Sequence, residues 1–226
     1  MSDFLKTKSQ FYIPEGMIYL DGNSLGPLTK TAQDRIQYTL NNEWGEMLVT
    51  GWNKAGWMEQ PNKVGDRIAR LIGAASKTVT VGDTLSIKVF QALASAINYQ
   101  KNRKVLLTDA SNFPSDIYAA QGLINMLKAD HELKIVNTDN LIENINENVA
   151  AIFFTEVDYR TGRRYDAKKI IKTAKQNGAL VILDLAHSAG AIDTNLTELD
   201  VDFAVGCTYK YLNGGPGSPA FIYVNP

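Results

Sequence analysis

Two runs in this chain, Ala151-Ile152-Phe153-Phe154 and Leu180-Val181-Ile182-Leu183, are apolar at every position. A strand with one wet face alternates apolar and polar residues, so an unbroken apolar strand is covered on both faces. The pattern around these runs alternates between strand and helix. A short strand at 78–81 precedes a helix from about Ser86, with Ile87, Phe90, Leu93 and Ile97 on one face. Strand 104–108, helix 115–128, strand 132–136, a short helix at 139–146, strand 149–155, helix 166–177 and strand 179–185 follow. The apolar run 203–205 and a last strand at 221–224 complete the series. Such alternation predicts an α/β fold, a mostly parallel sheet flanked by helices, with ligands held at the carboxyl ends of the strands.

Upstream, residues 29–48 and 60–73 carry apolar side chains at helical spacing: Ile36, Leu40 and Trp44, then Val64, Ile68 and Leu71. Residues 1–27 read as an irregular arm whose Gly22–Pro27 stretch is turn chemistry, and residues 28–226 as one large domain.

Composition removes several function classes. A single cysteine, Cys207, excludes an intrachain disulfide framework and any multi-thiolate metal site. The two histidines, His131 and His187, lie far apart in sequence, so no histidine-rich metal centre is expected. With 23 basic against 24 acidic residues, the chain lacks the charge excess of a nucleic-acid binder. No apolar run reaches the length of a membrane helix, and the N-terminus lacks a signal-peptide layout. A soluble, cytoplasmic protein is the expectation.

The strand-end rule selects the residues that could carry chemistry. Asp184 closes an apolar strand; it reads either as a turn-capping acid or as a magnesium-holding acid. The second role needs a Gly-x-x-x-x-Gly-Lys-Ser/Thr loop, and the chain has none. Lys210 follows the apolar run 203–207 and precedes Asn213-Gly214-Gly215-Pro216-Gly217. A lysine at the mouth of a buried sheet is a candidate imine-forming nucleophile. An imine-forming lysine with a strand-end aspartate suggests pyridoxal 5'-phosphate, whose pyridine nitrogen the acid would keep protonated. Asp83-Thr84-Leu85-Ser86, at a strand-to-helix junction, offers a phosphate cradle or simply a helix cap. Phe113 stands where a ring could stack, although a core phenylalanine is the commoner fate.

Five segments carry a family resemblance: Tyr19–Pro27, Asn112–Tyr118, Tyr159–Gly162, Asp184–Ala191 and Cys207–Gly217. In that order they resemble kynureninases, fold-type-I pyridoxal-phosphate enzymes near the class V aminotransferases. The resemblance implies that Lys210 bonds the cofactor aldehyde, Asp184 pairs with the ring nitrogen, His187 sits near the phenolic oxygen and Phe113 stacks on the ring. It implies that Leu85, Ser86 and Tyr209 hold the phosphate, with Pro114, Ser115, Asp116 and Thr155 completing the cofactor site. Tyr209 would also move protons, and Ser24 and Trp52 would shape the pocket for the substrate's aryl group. The implied reaction is hydrolysis of L-kynurenine or 3-hydroxykynurenine to anthranilate and L-alanine in tryptophan catabolism, by a homodimer. Other class V enzymes, a cysteine desulfurase or an aminotransferase, are the alternatives, as is a non-catalytic cofactor-binding fragment. Kynureninases continue past the lysine loop into a C-terminal domain. The resemblance therefore implies that the arginine gripping the substrate α-carboxylate lies outside residues 1–226, and Arg160 and Arg163 do not match it. Cofactor binding without turnover is the expectation for these residues alone.

Overall fold

The computed structural model describes residues 3–127 and 130–226. A seven-stranded sheet forms its centre, with β1 (Val79–Val81), β2 (Val105–Asp109), β3 (Glu132–Val136), β4 (Val149–Thr155), β5 (Leu180–Asp184), β6 (Phe203–Gly206) and β7 (Phe221–Val224). The strand order is β1-β7-β6-β5-β4-β2-β3. β6, β5, β4, β2 and β3 run parallel, while β7 lies antiparallel between β6 and β1. The alternating pattern thus yields the expected, mostly parallel sheet.

Side-chain alternation along each strand divides two cores. Ile152 and Phe154 of β4, with Val181 and Leu183 of β5, face one core; helices α4 (Gln60–Leu71) and α7 (Ala167–Gln176) supply Ile68, Ile72 beyond its end, Ile170 and Ile171 to it. Ala151, Phe153 and Ile182 face the other, where α5 (Leu85–Tyr99) and α6 (Pro114–Leu127) contribute Val89, Leu93, Ala120 and Leu123. Every residue of β4 is buried. A large apolar side chain moved fully out of water contributes about 1.5–3 kcal/mol, which is why polar residues are excluded from β4 until Thr155.

α4 lies tightly against β1: a methyl group on Gly65 would overlap the Val79 carbonyl. The remaining helices are short: α1 (Asp3–Lys8), α2 (Lys30–Tyr38), α3 (Gly51–Lys54) and α8 (Leu196–Leu199).

Four local expectations are corrected. The arm is not irregular throughout, because α1 forms within it. The single helix expected over 29–48 is regular only to Tyr38 and then widens into a π-helical stretch, Thr39–Glu46. There the buried Glu43 carboxylate accepts from Trp57 Nε1 at 3.0 Å and pairs with Arg35 at 2.7 Å. The short helix at 139–146 is instead two 3-10 turns, Thr138–Asn140 and Ile142–Asn144, because Asn137, Asn144 and Asn146 side chains bond nearby backbone and compete with helical bonding. The expected helix over 115–128 begins one residue earlier, at Pro114; Lys128 lies outside the described residues.

Candidate active site

The carboxyl ends of β1, β2, β5 and β6 converge on one cavity of about 270 Å³. It is lined by Thr84, Leu85, Ser86, Phe113, Ser115, Asp184, Ala186, His187, Tyr209 and Lys210. Eight of the residues named from the resemblance therefore line a single space.

Asp184 is the last residue of β5 and 3% exposed. Its Oδ1 accepts the Ala186 amide at 2.8 Å, whereas its buried Oδ2 has no partner. Burial pushes its carboxyl up to about 6, the Ala186 bond and the Lys210 charge opposing the shift. A carboxylate oxygen left alone at the wall of a cavity costs free energy unless a donor meets it there.

Lys210 lies four residues past the end of β6 and is buried. Its Nζ meets His187 Nε2 at 2.5 Å and stands 5.7 Å from the Phe113 ring centre. Desolvation lowers its pKa, with nearby Cys207, Asp184 and Asp116 pulling the other way. The same burial, with the Lys210 charge second, lowers His187 to about 4, so its ring is neutral at pH 7. Tyr209 is raised to about 12, chiefly by burial, and stays a phenol.

The lysine loop is held from both sides. Within it, the Gly214 amide donates to the Thr208 carbonyl at 2.8 Å, and Thr208 Oγ1 donates to the Pro219 carbonyl at 2.6 Å. From outside, the Gly26 amide of the N-terminal segment donates to the Tyr209 carbonyl at 2.8 Å. Gly26 is buried so closely that a methyl group there would overlap the Lys210 carbonyl and Asn213.

The candidate cradle is the start of α5. Thr84 caps it by accepting the Ile87 amide, and Leu85 and Ser86 form its first turn. Unpaired amides and the dipole at such an end favour an anion. Phe113 lies across the cavity; its amide donates to Asn112 Oδ1 at 2.8 Å, and Asn112 in turn donates to Thr108 Oγ1. Asp116 is buried behind it, and its carboxyl is pushed well up by burial and then by the Asp184 charge.

Other named residues stand apart from the cavity lining. Pro114 is exposed as the first residue of α6. Thr155 is buried and donates to the Val157 carbonyl at 2.9 Å. Ser24 donates to Asp21 Oδ1 at 2.7 Å in an exposed turn. Trp52, 51% exposed, packs edge-on against Trp57.

Sequence reasoning left out one lining residue, Ala186. It also gave no role to Tyr159, which stacks on His187 at 6.1 Å and meets the Phe113 ring edge-on at 4.9 Å. Its position within the Tyr159–Gly162 segment was the available signal.

Comparison with known proteins shows what the chain is similar to. The chain is 47% identical over 222 residues to a kynureninase of Burkholderia mallei (strain SAVP1), covering 96% of this chain and 53% of that protein. It is 45% identical over 224 residues to a kynureninase of Pseudomonas fluorescens, covering 97% and 54%. The chain thus spans about half the length of the curated relatives it matches. The cysteine desulfurase CsdA from Escherichia coli superposes with TM-score 0.81 at 16% identity, over all of this chain and 58% of that one. The cysteine desulfurase from Thermococcus onnurineus NA1 gives 0.77 at 17% identity, over 98% and 56%. These two share the fold. Residues 18–223 match the aminotransferase class-V family, and the chain belongs to it.

Proposed function

We propose that this chain is the cofactor-binding part of a kynureninase-type hydrolase, which splits the Cβ–Cγ bond of L-kynurenine or its 3-hydroxy derivative into anthranilate and L-alanine. The observation that carries the reading is the partnerless, buried Oδ2 of Asp184 in the same cavity as the buried amine of Lys210. A protonated ring nitrogen is the donor that Oδ2 lacks, so the residues present fit pyridoxal phosphate. Asp184 would hold that nitrogen, Phe113 would lie on the ring face, and Thr84, Leu85 and Ser86 would receive the phosphate at the start of α5. When bound, the cofactor supplies an aldehyde that captures amines and a ring that takes up an electron pair from the substrate carbon.

The chain's own groups do the rest. Burial favours the neutral amine of Lys210, which would hold the cofactor's aldehyde and whose Nζ would accept the substrate's Cα proton. Asp184, ionised beside a positive partner, would keep the ring nitrogen protonated. Water adds to the γ-carbonyl; as the Cβ–Cγ bond breaks, the carboxylate leaves with the aryl group and Cβ takes up a proton. Tyr209, a phenol at neutral pH, is the donor beside Lys210 for that proton traffic.

Borohydride reduction after incubation with pyridoxal phosphate tests the assignment. Peptide mapping is expected to find the pyridoxyl mass on the peptide containing Lys210. Label confined to any other lysine overturns it. Anthranilate fluorescence with L-kynurenine, measured on the whole enzyme, tests the reaction itself.

A further inference from the structure

Lys88 and Lys210 are the buried lysines among the described residues. Lys210 has a role in the chemistry above, and Lys88 has none. Lys88 lies in the second turn of α5, near the helix N-terminus, where the dipole disfavours a cation. Its Nζ donates to Asp83 Oδ2 at 3.1 Å and to Gln91 Oε1 at 3.1 Å. Burying an ion pair in place of apolar groups seldom adds stability. Its neighbours on the helix, Val89, Ala92 and Leu93, fill the core without charge.

Asp83 shows what the pair acts on. It is the residue joining β1 to the cap of α5, and its φ of +55° lies in the left-handed region that side chains rarely adopt. Its carbonyl accepts the Ala220 amide at 3.0 Å, and the Gly82 amide donates to the Ala220 carbonyl at 2.9 Å. The turn is therefore clipped on one side to the chain entering β7 and on the other to Lys88. Immediately after it come Thr84, Leu85 and Ser86, which line the cavity. The buried, partnerless Oδ2 of Asp184, which lines the same cavity, independently marks it as a ligand site.

We propose that Lys88 is a positioning residue: by clamping Asp83 in its left-handed turn, it sets the amides of Thr84, Leu85 and Ser86 to receive the cofactor's phosphate. This rests on the pyridoxal-phosphate reading and extends it to a residue that touches no ligand.

The experiment compares dissociation constants for pyridoxal phosphate and for pyridoxal, which has the ring and aldehyde but no phosphate. In the unaltered chain, pyridoxal phosphate is expected to bind far more tightly. In Lys88→Met, affinity for pyridoxal phosphate is expected to fall at least about tenfold, with affinity for pyridoxal changed less than about twofold. Lys88→Arg, which keeps the cation, is expected to recover most of the loss. Asp83→Asn alters the half-exposed partner instead, and is expected to give the same phosphate-specific loss should Lys88→Met fold poorly. Equal losses for both ligands in Asp83→Asn, or no loss in either variant, overturn the inference while leaving the cofactor reading intact. An unaltered chain that binds the two ligands equally overturns the phosphate cradle itself.

Discussion

His187 Nε2 and Lys210 Nζ share one hydrogen bond in a buried setting, and both are shifted toward their neutral forms, chiefly by desolvation. Asp184, in the same cavity, is shifted toward its neutral form as well. At neutral pH the His187 ring is therefore uncharged, while Asp184, at about 6, still carries its negative charge.

The shifts predict opposing pH dependences. His187 falls from 6.5 to about 4 on folding, so the unfolded chain binds the extra proton between those values and stability is lost as pH drops through them. Asp184 rises from 3.8 to about 6, so the folded chain binds the extra proton and stability is lost as pH climbs from about 4 to about 6. In the cofactor-free protein these contributions partly cancel. His187→Gln is expected to remove the acid-sensitive part, and its Tm should then rise relative to the parent as pH is lowered from 6.5 to 4. Asp184→Asn should do the reverse. Parallel Tm profiles from pH 4 to 7 for the parent and both variants would contradict the burial of these groups.

Asp184→Asn also bears on the cofactor. An amide keeps the shape and the contact to the Ala186 amide, but it offers the ring nitrogen no negative charge. A hydrogen bond to a charged group contributes about 1.5–3 kcal/mol, so affinity for pyridoxal phosphate should drop roughly ten- to hundredfold. Absorbance titration measures this directly. Exchange of the substrate Cα hydrogen, followed by NMR in deuterated water, should slow by more than the affinity change alone accounts for.

Most of the sheet was legible because period-two and period-3.6 patterns report which faces are buried, and β4 and β5 are buried on both. That Lys210, Asp184 and residues 84–86 line one cavity was legible through the same rule, since a parallel sheet gathers its carboxyl ends. What escaped was set by tertiary contact. The π-helical stretch at 39–46 surrounds Glu43, whose partners Arg35 and Trp57 lie eight and fourteen residues away. The one-turn α8 is held by the Asn195 cap and a left-handed Asp200, too short for any period to show. Tyr159 reaches Phe113 and His187 from a loop with no periodicity. Ser24 and Trp52, named by resemblance alone, lie in exposed segments that this cavity does not include.

Gly65→Ala tests how α4 sits on β1. The added methyl group meets the Val79 carbonyl, a backbone atom bound into the sheet and unable to give way easily. Alanine would normally favour the helix by about 1 kcal/mol. Here overpacking of about 1–3 kcal/mol is expected to win, lowering Tm. A raised Tm would mean that α4 can shift outward at little cost.

Gly26→Ala probes the other close approach, with a different expected signature. Gly26 sits against the Lys210 carbonyl and Asn213, and its amide holds the Tyr209 carbonyl. The contact joins an exposed N-terminal segment to the loop bearing Lys210, and Gly26 itself belongs to neither core. A methyl group should force the segment off the loop, costing the Tyr209 hydrogen bond, about 0.5–1.5 kcal/mol, without opening a core cavity. Two measurements separate this from general destabilisation. Limited proteolysis should cleave within residues 10–29 faster than in the parent, while the midpoint of urea unfolding moves little. Reduction-trapped label on Lys210 should accumulate more slowly, because a loop released on one side no longer holds Nζ in the cavity. Normal proteolysis and labelling would show that the segment rests on the loop without ordering it.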